Sequence, residues 1–155
     1  MSGALFTRQQ IPPVTARTAE GRIIRAWDYK QKRNLVIAFL HADCPRCTDW
    51  LAQLAARAAD FSERDAVVLV IYAETPPRTA ELLPAPLIAA GDSAGHCQRA
   101  FLGREAFSPA GLDRIGVFVA DRYGELYAQW VAQDAENLPA AGEILISLWQ
   151  IQVAC

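Results

Sequence analysis

The sequence predicts an α/β protein: a central mixed β-sheet flanked by helices on both faces. Three observations carry that expectation. The apolar runs "LVIAFL" (35–40) and "AVVLVIY" (66–72) read as strands buried on both faces. Between them, Trp50, Leu51, Leu54, Ala55, Ala58 and Phe61 recur at helical spacing, with Asp49, Gln53, Arg57 and Asp60 on the other side. A strand, a helix and a second buried strand make a βαβ unit, so the two strands are expected to run parallel.

The remaining elements follow in order. Residues 1–15 read as an irregular N-terminal arm, because Pro12 and Pro13 block regular structure. "GRIIRAWDYKQKRN" reads as a short strand and a polar turn. Prolines 76, 77, 84 and 86 bracket a short helical stretch, "LIAAGD" reads as a brief strand, and "SAGHCQRAFLG" as a helix with Ser93 at its N-cap. "IGVFVADRYGELYAQW" reads as two strands joined at "DRYG", where Gly124 supplies the turn. In "LPAAGEILISLWQIQ", Leu138, Ile144, Leu145, Leu148, Trp149 and Ile151 fall at helical spacing, and Pro139 suits a first-turn position.

Composition narrows the function. The 155 residues form one domain, 1–155, large enough for a sizeable core. At 52% hydrophobic and 21% charged, the chain suits a soluble globular protein. A net charge of -2 with scattered arginines gives no reason to expect a nucleic-acid or acidic-membrane partner. No run reaches the roughly 18 apolar residues of a membrane span. "MSGALFTRQQIPPV" does not read as a signal peptide, which makes the cytoplasm the expected location. Four cysteines, Cys44, Cys47, Cys97 and Cys155, are too few and too unevenly spaced for a disulfide-stapled secreted module. The tryptophans 27, 50, 130 and 149 read as core or edge aromatics.

The chemistry concentrates in "HADCPRCTDW" (41–50). Cys44 is expected at the end of a buried strand and the start of a helix, near unpaired backbone N–H groups and the positive end of the dipole. That position favours a thiolate. Arg46 pushes the same way and Asp43 opposes it. Cys47 lies one turn along, close enough to attack a mixed disulfide at Cys44, and Pro45 fixes the first turn. A zinc site is the rival use of this spacing, but it needs two more ligands, and the chain has no second CxxC or spaced histidine pair. No metal or organic cofactor is expected, since sulfur carries the electrons. Cys97 reads as a small buried hydrophobe, with a third redox thiol as its alternative. Cys155, the last residue, reads as an exposed, inert tail thiol, with resolving a disulfide or linking two chains as its alternatives. His41 is a candidate proton relay beside Cys44, though a histidine at a strand end is more often simply solvated or hydrogen-bonded.

"NLVIAFLHADCPRC" resembles the active-site strand and motif of the thioredoxin superfamily. The order around it resembles the peroxiredoxin-like branch, the alkyl hydroperoxide reductase and thiol-specific antioxidant group. "GRIIRAWDYKQKRNLVIAFL" is similar to that group's opening hairpin and first core strand. "GDSAGHCQRAFLG" and "RIGVFVADRYGEL" resemble its later helix, strand and hairpin. The resemblance implies a thioredoxin-like fold and antioxidant or oxidoreductase chemistry at Cys44 and Cys47. It also places Arg114 where peroxiredoxins keep an active-site arginine, while a surface cation is the plainer reading.

The chain departs from the pattern at named positions. Peroxiredoxins carry a Pro and a Thr or Ser before the reactive cysteine, where this chain has His41, Ala42 and Asp43. Thioredoxins carry a buried acid in the preceding strand, where this chain has Ala38. Opposite the cysteines they carry a cis-proline, where it has Ile115 and Gly116. The expectation is therefore a thiol–disulfide oxidoreductase using the Cys44–Cys47 pair. Its alternatives are a thiol peroxidase reducing hydroperoxides through Cys44 and a non-catalytic redox-sensing or interaction module. The partners implied are a disulfide-containing protein, a small thiol or a peroxide, together with an external thiol reductant.

Overall fold

The computed structural model describes residues 5–103 and 114–154. Its frame is a seven-stranded sheet: β1 (Thr15–Arg17), β2 (Ile23–Arg25), β3 (Asn34–Leu40), β4 (Ala66–Tyr72), β5 (Leu87–Gly91), β6 (Ile115–Ala120) and β7 (Leu126–Ala132). The strands lie in the order β2-β1-β5-β4-β3-β6-β7. β3 runs parallel to β4, and β4 to β5, while β6 pairs antiparallel with β3 and β7 closes the sheet as a hairpin partner of β6. The parallel pairing read from the two apolar runs is thus present. Every residue of β3 and β4 is buried, which is why neither strand alternates in sequence.

Helices cover both faces. On one face, Val36, Ala38 and Leu40 of β3 pack in one cluster with Trp50, Leu51 and Leu54 of α1 (Pro45–Ala55) and Ile144, Leu148 and Ile151 of α4 (Ala141–Ala154). On the other, Leu35, Ile37 and Phe39 cluster with Phe101 and Leu102 of α3 (His96–Leu102). The rings of Phe39, Phe101 and Phe118 meet there at 5.0–5.8 Å between centroids. Fully burying each such side chain stabilises the fold by about 1.5–3 kcal/mol.

Several local expectations need correction. The helical periodicity after the cysteines continues through residue 61, yet the helix stops at Ala55 and α2 (Ala58–Glu63) begins separately. Phe61 still reaches the same cluster, so the apolar stripe survives the break. Ser93 is not the cap of α3: Gly95 holds that position, and the Asp92 carboxylate accepts the Cys97 N–H at 2.9 Å. Pro139 precedes α4 by two residues instead of sitting in its first turn. From Leu5 to Val14 the arm forms no helix or ladder strand but is pinned, since the Arg8 N–H donates to the Leu126 carbonyl and Gln10 bridges to Glu125. The β6–β7 turn forms as expected, with Gly124 at a φ of 81°.

Candidate active site at the end of β3

β3 ends at Leu40, and the chain turns through His41, Ala42 and Asp43 before α1 begins at Pro45. Cys44 is the N-cap of that helix, in extended backbone, and its Sγ accepts the Cys47 N–H at 3.1 Å. The proline at the first helical position has no N–H to leave unpaired. Cys44 is half-buried and Cys47 is 1% exposed. The two sulfurs are joined as a disulfide, with Cα atoms 5.2 Å apart. One turn of helix therefore holds an accessible sulfur and a shielded one within bonding distance, and neither needs a rearrangement elsewhere in the chain to meet the other.

Two contacts dock this turn. The Trp50 indole N–H donates to the buried Pro139 carbonyl at 2.8 Å, tying α1 to the segment that leads into α4. Arg46 forms an ion pair with Glu136, just before that segment. The guanidinium expected to face the thiolate thus has a carboxylate of its own. A third contact enters from β4's end, where the Glu74 carboxylate accepts the Ala42 N–H at 3.2 Å. Glu74 also lines an open groove of about 460 Å³ that runs along β1 and the ends of β4 and β5.

The supporting residues divide. His41 lies three residues before Cys44, and its Nε2 is buried with no hydrogen-bond partner. Gly116 pairs with Phe39 across β3 and β6, at the same end of the sheet as the cysteines. A side chain there would press within 2.8 Å of both Leu102 and the Trp130 carbonyl. Arg114 enters β6 at that end too, but its guanidinium donates to the Leu102 carbonyl at 2.9 Å, on the α3 side of the sheet. Cys44 packs against the α1 side.

Cys97 also belongs to the far face. It is 4% exposed, its thiol lies 3.6 Å from the Thr15 carbonyl, and burial pushes its pKa up to about 12. That placement makes it a core thiol and removes it as a resolving sulfur for Cys44. Cys155 falls outside the described residues. Trp50 is a core aromatic as expected, whereas Trp27 is 72% exposed. No helix among the described residues is long and apolar enough to cross a membrane.

Sequence reasoning missed Glu74, Glu136 and Pro139. Each reaches the site from a distant stretch of chain, and exposed acids and a loop carbonyl carry no periodic signal. Ala38, at the place where thioredoxins bury an acid, is fully buried. The one described cis peptide, Ala85–Pro86, precedes β5 and so lies at the opposite end of the parallel strands from Cys44.

Comparison with known proteins gives a consistent answer. The model of the AhpC/TSA family matches residues 7–129. Among solved structures, the reduced 2-Cys peroxiredoxin of Plasmodium vivax superposes with a TM-score of 0.76 at 13% identity, over 97% of this chain and 98% of that one. Mycobacterium tuberculosis AhpC gives 0.74 at 16% identity, over 96% and 93%. The mitochondrial 2-Cys peroxiredoxin of Plasmodium falciparum gives 0.72 at 14%, over 95% and 94%. These likenesses show the thioredoxin-like peroxiredoxin fold. No protein of curated function matches the sequence.

Proposed function

This chain belongs to the AhpC/TSA family, and from that premise we propose that it works as a thiol peroxidase with Cys44 as the attacking sulfur and Cys47 as the resolving one. The family match favours this reading over the disulfide exchange that the sequence put first. The observation that carries it is the N-cap sulfur: Cys44 is accessible, accepts a backbone N–H at 3.1 Å, and has Cys47 on the next turn.

The Cys44 thiolate attacks one oxygen of the hydroperoxide. The O–O bond breaks, the other oxygen leaves as an alcohol or water after taking up a proton, and Cys44 becomes a sulfenic acid. The Cys47 thiolate then attacks the Cys44 sulfur, expels water and closes the disulfide. An external dithiol returns both sulfurs to the reduced state by exchange, and a cytoplasmic setting supplies such a reductant. In this reading Pro45 and the first-turn N–H groups hold the thiolate, His41 is the proton relay, and Gly116 keeps the opposing strand close. Arg46 and Arg114 act through their partners Glu136 and Leu102 as positioning residues.

A second reading, exchange with substrate disulfides, is favoured by one observation. Both sulfurs sit on one turn, a geometry that serves a mixed disulfide as readily as a sulfenic acid. Reduced protein treated with one equivalent of hydrogen peroxide separates the two. Wild type should form the Cys44–Cys47 disulfide, Cys47→Ser should accumulate a dimedone-trappable sulfenic acid on Cys44, and Cys44→Ser should do neither. If wild type consumes peroxide no faster than free cysteine yet exchanges rapidly with a small disulfide, the second reading replaces the first.

A further inference from the structure

At the end of the sheet away from Cys44, a cavity of about 310 Å³ opens between the N-terminal arm, the segment after β2 and the β6–β7 turn. Pro12, Val14, Ala26 and Leu35 give it apolar walls, and of these Val14, Ala26 and Leu35 are at most 7% exposed. Trp27 also lines it while keeping 72% of its surface open, an unusual state for the residue with the most apolar area to bury. Arg25, Lys30 and Arg122 line the same cavity. Lys30 lies over the Trp27 ring at 4.6 Å, and none of the three makes an ion pair with a described residue. No acidic side chain lines the cavity; the nearest in sequence, Asp28, lines an adjoining recess that shares Trp27 and Lys30 with it.

We propose that this cavity is a binding site for a small amphipathic carboxylate, with the apolar body against Trp27 and Leu35 and the carboxylate among Arg25, Lys30 and Arg122. The charge argument is direct. The whole chain carries a net charge of -2, yet three cations line this cavity with no carboxylate on its walls and no ion pair to a described residue. An anionic head supplies that partner, and guanidinium groups are suited to holding a carboxylate with two parallel hydrogen bonds. The apolar walls are closed to water on the protein side, so a hydrocarbon body gains burial that a compact anion would not. A chain of about ten carbons matches a cavity at the small end of the ligand-pocket range. Leu35 lies five residues from Leu40 along β3, about 17 Å at strand spacing, so the site is separate from the cysteines.

Decanoate is the probe. Titrated into the full chain and followed by calorimetry and by the indole N–H resonance of Trp27, it should bind one to one and shift that resonance. Decanol, of equal length without the charge, should bind about tenfold more weakly or worse. Arg25→Gln with Arg122→Gln should weaken decanoate by at least about tenfold and leave decanol unchanged. Trp27→Ala should weaken both ligands. The side chain is exposed, so that variant should retain the parent's circular dichroism, and Lys30→Gln provides an independent check with an expected loss for decanoate alone. Equal binding of decanoate and decanol would overturn the proposal. So would unchanged affinity in Trp27→Ala, a shift confined to Trp149 on α4, or tighter binding of an acidic peptide than of decanoate.

Discussion

Two contacts hold the first helix against the segment leading into α4, and their strengths should differ in a measurable way. The Trp50–Pro139 hydrogen bond is buried: Trp50 is 6% exposed and Pro139 is buried as well. Trp50→Phe removes the donor and leaves the carbonyl with no water to replace it, which costs about 1–3 kcal/mol. The smaller ring adds to that cost by leaving space unfilled. The Arg46–Glu136 pair has side chains 66% and 63% exposed, and such pairs contribute about 0–1 kcal/mol. The hydrogen bond should therefore dominate. Trp50→Phe should lower stability by about 2 kcal/mol and Glu136→Gln by less than about 0.5. For a chain of this size the first corresponds to a drop in Tm of about 4–8 °C. Urea unfolding of the oxidised protein followed by circular dichroism reads both, with the slopes required to match wild type. The reasoning fails if Glu136→Gln costs as much as Trp50→Phe, or if Trp50→Phe falls within about 0.5 kcal/mol of the parent.

Burial raises the Cys97 thiol from 9.0 to about 12 and, with a smaller push from Glu74, the Tyr72 phenol from 10.0 to about 12. Both groups hold their protons more tightly folded than unfolded, so their contribution is complete below pH 9 and is lost as pH rises from 9 through 12. Stability should fall across that window, and a flat profile from pH 8 to 11 would refute the assignment. Cys97 should likewise resist iodoacetamide in the native protein at neutral pH and react once the chain is unfolded in urea; equal rates in the two states would contradict its burial. Gly116→Ala should cost about 1–3 kcal/mol, because the new methyl meets the Trp130 carbonyl, which cannot move without breaking the β6–β7 pairing. A change below about 0.5 kcal/mol in urea unfolding would show that the strands can give way. Glu136→Gln should raise the alkylation rate of reduced Cys44 at neutral pH by less than about threefold, since an exposed cation shifts a neighbouring charge only weakly; a slower rate would reverse the assigned role of Arg46.

How far the sequence carries depends on the range of the forces involved. β3 and β4 are legible because burial on both faces writes an uninterrupted apolar run, and α1 because burial on one face writes a helical period. The end of α1 at Ala55 is not legible: the apolar stripe passes through the break to Phe61 without a proline or glycine to mark it. Cys44 and Cys47 are legible because their chemistry depends on a spacing of three within one turn. Glu74, Glu136 and Pro139 are not, because each reaches the cysteines across 30 or more residues of sequence through a contact that any polar loop could make. Trp27 fails for the opposite reason. Trp27 reads only as a core or edge aromatic, and only the fold shows that the surface beside it is a cavity lined by cations.

The contacts around Cys44 also decide what kind of stabilisation a thiolate receives there. Arg46, the one cation inside the motif, is engaged by Glu136, and Asp43 beside Cys44 is of the wrong sign to help. Among the described contacts at the sulfur, the backbone contributes the Cys47 N–H aimed at Sγ, beside the N–H of Arg46 in the same first turn of α1. These dipoles are fixed by the covalent chain and by the docking of Trp50, so they need no reorganisation when charge forms or moves on the sulfur. In the proposed reading, a motif shared with disulfide exchangers thus serves a peroxidase by placing Cys44 at a helix N-terminus whose dipoles are already aligned before any charge forms.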